Sequence, residues 1–349
     1  MPDPILAPVQ ASQPEPPVQE DAAAPAHILD FTGSFDLARD EEAETAPQEG
    51  RDAAELIERL LPISFADRGY LLPDAAAAGR HALQAILGFQ QAVGRPKRTR
   101  LLYCAGPHHA PLPEGLAGDP HIDILTTDDA AEVEAAITPK TAGILIAPVR
   151  TVPTLELPPR DLLAVLREAA DGYGIVFAFD ETASGLGRTG MSWAYEWSGV
   201  TPDLMIMGSG LAGAEPLAAV LATAKVARGA PAPAAVNPAA VEIAHQRLDQ
   251  MLAPDFEATV QRRSWALEDR LTHLSYLHRP VYTAVVGLGL MQGLVCTGEA
   301  APLAARAAAH GLLTRPLGNV LGLFPALTVS EAELDAAADI LARIAGEAD

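Results

Sequence analysis

Lysine is nearly missing from this chain: among 349 residues only Lys97, Lys140 and Lys225 carry a side-chain amine. Basic residues are scarce as a whole, with 24 Lys and Arg against 45 Asp and Glu, for a net charge of -21. That deficit argues against a nucleic-acid partner, because affinity for a phosphate backbone rests on Lys and Arg displacing condensed counterions. Cysteine is scarce too. Cys104 and Cys296 stand too far apart in sequence to form a disulfide framework or a zinc-ligand cluster, which points to a reducing compartment. The first twenty residues, MPDPILAPVQASQPEPPVQE, hold no Lys or Arg and no continuous apolar segment, so neither a signal peptide nor a basic transit peptide is legible there. No uncharged apolar run reaches the ~20 residues of a membrane span; the longest, 281–296, is interrupted by glycines. The expectation is a cytoplasmic protein with no nucleic-acid or membrane partner.

What is present is enough apolar chain for a large core. The hydrophobic fraction is 49% and the charged fraction 20%, and the length suits roughly two domains of ~100 to 200 residues. Residues 1–52 stand apart, holding twelve acidic side chains against Arg39 and Arg51, a net of -10. Their one apolar cluster, Ile28, Leu29 and Phe31 followed by Phe35 and Leu37, is too small to offset ordering entropy, so 1–52 reads as a disordered acidic tail rich in Pro and Ala. Composition leaves two roles open for it: a solubilising extension, or the carrier of a short docking motif over 28–37.

From residue 53 short apolar runs alternate with amphipathic stretches. The runs 101–103, 122–125, 143–146, 175–179 and 204–207 suit strands buried on both faces. Helices are predicted between them over 79–93, 128–137 and 159–170. The pattern predicts an α/β fold with a mainly parallel sheet in a large domain, 53–274. One long helical region is expected from Asn237-Pro238 to about Leu274, after which strands near 281–286 and 290–296 and a terminal helix over 330–345 make 275–349 a smaller α+β domain. The run Gly185-Leu186-Gly187-Arg188-Thr189-Gly190 has the spacing of a dinucleotide fingerprint. That reading is set aside, because Glu181 to Ser184 separate it from the strand and no phosphate-facing helix follows.

The stretch 175–217, IVFAFDETASGLGRTGMSWAYEWSGVTPDLMIMGSGLAGAEPL, resembles the core signature of class III aminotransferases of the acetylornithine/ornithine type, which are pyridoxal phosphate (PLP) enzymes of fold type I. The similarity is colinear, running back through Phe65-Ala66-Asp67 and forward through Asn237-Pro238, Gly287-Leu288-Gly289-Leu290-Met291 and Gly318-Asn319-Val320-Leu321. It covers about 53–349 and finds no counterpart for the family's usual N-terminal segment, which contributes to the substrate site and the dimer contact. It implies a PLP-dependent transferase-like fold, and a homodimer or a heterodimer with an active aminotransferase paralogue.

The resemblance also assigns positions. Asp180 matches the Asp that pairs with the protonated pyridine nitrogen of PLP and keeps the ring an electron sink; at a strand end it lies where open α/β sheets bind ligands. Ser209 falls at the Schiff-base lysine. A hydroxyl forms no imine, so serine removes the nucleophile and the base that moves the α-proton together. His108 takes the place of the aromatic that stacks on the ring, Ala183 that of the Gln at the phenolic oxygen, and about Pro233 that of the Thr reaching the neighbouring subunit's phosphate. Asp74-Ala75-Ala76-Ala77 replaces the phosphate cup at a helix N-terminus. The two substrate arginines fall at Pro111 and Gly322, and the Glu of the family's Glu-Pro-Val at Ala147. His108 and His109 lack a third ligand for a metal.

These departures imply a class III aminotransferase-like protein that is catalytically inactive and acts as a non-catalytic dimer subunit or a binding protein. The alternative is an enzyme of the same family, either with atypical use of PLP or its amine form PMP and with His108 or His109 as base, or with a different reaction in the same pocket.

Overall fold

Residues 28–33 and 51–347 are described by the computed structural model. All six residues are buried in each of the strands Thr141–Ile146 and Val176–Glu181, as their apolar runs 143–146 and 176–179 predict for the centre of a sheet covered on both faces. The large sheet has seven strands in the order Arg68–Leu72, Ala218–Ala222, Leu204–Met207, Val176–Glu181, Thr141–Ile146, Arg100–Cys104 and Ile122–Leu125. Ala218–Ala222 runs against both of its neighbours. The other pairings are parallel. One face is packed by Ile144, Leu166, Phe177 and Phe179, the other by Ile86, Leu101, Val176 and Val220. Because the central strands are parallel, their C-terminal ends, at Cys104, Ile146, Glu181 and Met207, gather at one edge of the sheet, where a ligand can be reached from several loops at once.

Local chemistry sets the helix boundaries. Asp74 caps Ala75–Ala92, Asn237 caps Pro238–Met251 with proline in its first turn, and Ser330 with Glu333 forms a capping box for Glu331–Gly346, each satisfying backbone N–H groups that have no partner within the helix. Arg160–Tyr173 stops at Gly174, whose φ of 62° is the left-handed conformation that favours glycine. The helical region expected from 237 to about 274 consists of two helices, Pro238–Met251 and Phe256–Leu277. Pro254 has no N–H to continue the first, and Asp255 takes a left-handed φ of 63° between them.

The second unit is built on an antiparallel sheet in the order Arg315–Leu317, Val320–Leu323, Met291–Cys296 and Tyr282–Leu288. Its core includes Val260, Leu267, Leu271 and Leu274 from the helix Phe256–Leu277, packed with Leu294, Leu321 and Leu341. Their spacing forms one apolar stripe, which packs the helix Phe256–Leu277 onto the smaller sheet.

Part of the expected tail belongs to the same core. Leu29–Asp30 pairs in parallel with Leu312–Leu313, the Phe31 carbonyl accepts the Phe324 N–H at 2.7 Å, and Leu29 and Phe31 are only 6% and 2% exposed. The expectation of disorder is therefore corrected over 28–33. The cluster is too small to fold by itself, but the backbone of 311–313 supplies hydrogen bonds and the core supplies an apolar surface. Of the docking motif proposed over 28–37, residues 28–33 dock on this chain's own smaller unit. The remainder, 34–37, and what was expected of 1–27 and 34–50 lie outside the described residues. Among the described residues no helix is long and apolar enough to cross a membrane.

Candidate functional site

The C-terminal ends of the central strands open onto two adjoining cavities. The first, of about 250 Å³, is lined by Tyr103, Pro111, Arg150, Asp180 and Ala183 among others. The second, of about 280 Å³, is lined by Arg188, Arg315, Phe324, Gly210 and Met291. Thr151, Thr182 and Ala183 belong to both walls.

Asp180, next to last in its strand, lines the first cavity, and one of its carboxylate oxygens accepts the Thr182 N–H at 3.0 Å. Burial pushes its carboxyl above the usual range, and the hydrogen bonds from Thr182 offset this only in part. Beside it, the Tyr103 hydroxyl donates to the Pro111 carbonyl at 2.6 Å. Burial, and then the charge of Asp180, raise the tyrosine's pKa, so the phenol stays a neutral donor. Glu181 follows on the opposite face of the strand. Its carboxylate accepts the Ala194 N–H at 2.8 Å, the Tyr195 N–H at 2.9 Å and the Ser184 hydroxyl at 3.0 Å. It ties down the loop beyond the strand, and burial pushes it up to about 7.

Arg150 was not anticipated from the sequence. Its side chain is 1% exposed, yet every charge it meets is opposite. It donates to both oxygens of Asp128 at 2.8 Å, to Glu156 at 3.0 Å and to the Cys104 carbonyl at 3.3 Å. A buried guanidinium is tolerated only when paired in this way. Gly106, at φ 72°, makes room for it, since a Cβ there would collide with the guanidinium. The available signal was an arginine four residues beyond the apolar strand, in Ala147-Pro148-Val149-Arg150.

His108, matched by resemblance to the ring-stacking aromatic, lies outside both cavity linings. It is 57% exposed, with Nδ1 2.5 Å from a Glu156 oxygen. The cause is the paired backbone of Arg150 and Glu156, which exchange N–H···O bonds at 2.9 Å and so present the Glu156 carboxylate to the 106–109 turn. Ala183 does lie in the cavity walls, as expected. Residue 209 begins the turn Ser209–Leu211 directly after Leu204–Met207. Gly208 packs so closely on Thr182 that a Cβ at 208 would lie 2.7 Å from the Thr182 carbonyl oxygen, and Gly210 lines the second cavity. The backbone of 208–210 thus borders the site. None of the three lysines lines either cavity, and all three are exposed.

Two further expected positions are informative. Asp74 is the N-cap of its helix, its carboxylate accepting the Ala77 N–H at 2.6 Å. Gly322 pairs directly with Arg315 across the hairpin, so a guanidinium stands opposite the position at which the resemblance implies an arginine was lost.

A doubly covered α/β sheet with ligand-sized cavities at its strand ends defines the PLP-transferase type of fold. The class-III aminotransferase family profile matches residues 118–345. Acetylornithine aminotransferases of Mesorhizobium japonicum and Rhodobacter capsulatus are each 33% identical, over 79% and 80% of this chain and 74% and 76% of theirs. The solved N-acetylornithine aminotransferase from Stenotrophomonas maltophilia superposes with a TM-score of 0.74 at 27% identity, covering 85% of this chain and 80% of that one. The acetylornithine aminotransferase from Elizabethkingia anophelis gives 0.77 at 19% identity, over 92% and 90% of the two chains, a likeness of fold. The chain belongs to the class III aminotransferase family.

PLP, the cofactor that membership implies, does not fit the residues present. The helix N-terminus that would hold its phosphate already spends the Ala77 N–H on the Asp74 carboxylate, and an anion placed there would meet that negative charge. No amine reaches the cavity to hold the aldehyde. Asp180, matched by resemblance to the partner of the pyridine nitrogen, lines the first cavity, and no chemical step is derived through the cofactor.

Proposed function

We propose that this chain is a catalytically inactive member of its family, acting as a non-catalytic dimer subunit or as a binding protein for a small molecule. The observation that carries the reading is the absence of any lysine from the walls of the two cavities around Asp180. Covalent capture of a carbonyl and transfer of an α-proton both need an amine there. The self-capped helix at Asp74 supports the same reading. The test is the absorbance of the purified chain with and without added PLP, followed by borohydride reduction. A protein-linked absorbing species would overturn it.

As a subunit the chain pairs with a second copy of itself or with an active paralogue. Light scattering after size-exclusion chromatography, on the chain alone and mixed with the host's active aminotransferase, reads this directly; a monomeric mass in both samples contradicts it. One observation favours a second reading, an enzyme with atypical chemistry: Asp180 remains in a cavity beside a neutral phenol donor, Tyr103. Turnover of an amino donor by the purified chain would decide for that reading.

A further inference from the structure

A third cavity, of about 310 Å³, is lined by residues of both units, and its described lining shares no residue with the two cavities at the strand ends. Two of the chain's three tryptophans, Trp197 and Trp265, line it together with Val285, Val286 and Leu288. Trp197 is half-buried and fixed, its indole N–H donating to the Thr189 carbonyl at 2.9 Å. Trp265 is 59% exposed, which leaves a large apolar ring in water at the edge of the cavity. Indole walls favour a flat aromatic partner over a flexible polar one. Arg160 and Glu268, both exposed, add one charge of each sign to the lining, so the cavity favours neither an anion nor a cation.

Gln292 is the buried polar side chain of this lining. It is 3% exposed, and its Nε2 donates to the Ser264 carbonyl at 3.2 Å and to the Gly289 carbonyl at 2.7 Å. Both partners are acceptors, which fixes the amide: turned over, its oxygen would face two carbonyls. Oε1, shielded from solvent, is left without a donor. A buried acceptor in that state costs free energy that an apolar side chain of the same size would not. The hairpin keeps space beside it. Gln292 is directly opposed to Gly287, and opposed residues of an antiparallel pair share a face of the sheet, so no side chain stands on that side. Gly287 has a φ of 110°, and a Cβ there would collide with the Met291 carbonyl oxygen, which keeps the position a glycine. Gly287 itself lines the cavity, so a Gln292 side chain that leans over it presents Oε1 to a donor inside.

We propose that this cavity is a second ligand site, for an uncharged planar heteroaromatic molecule whose ring N–H donates to Gln292 while its faces pack on Trp197 and Trp265. At about 310 Å³ the space is at the lower end of small-molecule cavities and suits a single fused ring system. The site uses none of the residues around Asp180, so it stands whether or not the chain is catalytically inactive. Calorimetric titration of the full chain with indole, and separately with 1-methylindole, which has the same ring and no N–H, tests it on the native protein, on Gln292→Met and on Trp265→Ala. Saturable one-site binding of indole is expected, about threefold or more tighter than that of 1-methylindole, the effect of one neutral hydrogen bond. Gln292→Met removes the acceptor and keeps the side-chain length, and should bring the two affinities together. Trp265→Ala should weaken both probes about threefold or more, the loss of one aromatic contact. Circular dichroism checks that each variant is folded; if Gln292→Met is not, Trp265→Ala, at an exposed position, carries the test with the native comparison. No saturable binding of indole at about 5 mM, equal affinity of the native chain for the two probes, an unchanged preference in folded Gln292→Met, or unchanged indole binding in Trp265→Ala overturns the proposal.

Discussion

Lys225 is paired with Asp203, its ammonium 3.6 Å from the carboxylate, at the end of the strand Leu204–Met207 remote from Asp180. Asp180 is in register with Ile206, three residues further along and so about 10 Å away at ~3.3 Å per residue. Lys97 and Lys140 precede the strands Arg100–Cys104 and Thr141–Ile146, which places them at that same N-terminal end. All three amines therefore lie at the opposite end of the strands from the site. Incubation with PLP, borohydride reduction and peptide mass analysis should find no specific pyridoxyl adduct on Lys97, Lys140 or Lys225. A stoichiometric adduct on any of them would show that an amine reaches the cofactor after all.

Ser209→Lys alone should not restore transamination. It returns an amine to a turn that borders the cavity, but Asp74 still caps its own helix and Pro111 still lines the first cavity without a charge. Each missing charged hydrogen bond costs roughly 1.5 to 3 kcal/mol, so two of them hold the variant at least about 100-fold below an active family member. Steady-state turnover of acetylornithine with 2-oxoglutarate measures this, and a rate typical of the family would mean that the site has lost one role only.

The large sheet was legible because its strands are continuous apolar runs that only a doubly covered position accepts, as in 143–146 and 175–179. Asp180 and Ala183 were placed by a colinear motif, and the structure puts both in the cavity wall. The misses share a cause: each depends on a partner distant in sequence. His108 turns outward because Glu156, brought up by a short paired segment, meets it. Arg150 is buried because Asp128, 22 residues earlier, is waiting for it. Leu29 and Phe31 are ordered by residues near 312 and 324. Arg315 replaces nothing in the linear alignment, and only the hairpin register shows it opposite Gly322. Local composition carries no trace of such pairings.

Glu181 should make stability fall as pH rises through the acidic range. Burial raises its pKa from 4.5 to about 7 in the folded chain, so the folded state keeps a proton that the unfolded state has already lost. The cost is absent below the unfolded value, grows between the two, and is complete above about 7, reaching about 3 kcal/mol. Urea denaturation across that window, for the native chain and Glu181→Gln, isolates this contribution from those of other acids. The variant should lose a slope of this size. Identical slopes would place the Glu181 carboxylate at an ordinary pKa, held there by its three hydrogen bonds.

Phe31→Ala should destabilise the smaller unit although position 31 precedes the main body of the chain. The ring is 2% exposed in a core that includes Leu321 and Leu323, and truncation of a fully buried Phe costs about 3 to 5 kcal/mol when the surroundings cannot relax. Here they can: the segment is joined by one two-residue strand and a few backbone bonds, so the loss is capped by the free energy of undocking 28–33 as a piece. Removing the segment outright sets that cap. A chain starting at Ser34 should therefore melt below one starting at Ala26, and Phe31→Ala should lie between the two or match the shorter chain. Each kcal/mol lost corresponds to about 4 to 8 °C in the melting temperature of a unit of this size. Equal melting of the two truncated chains would mean that Leu29 and Phe31 cover the core without stabilising it.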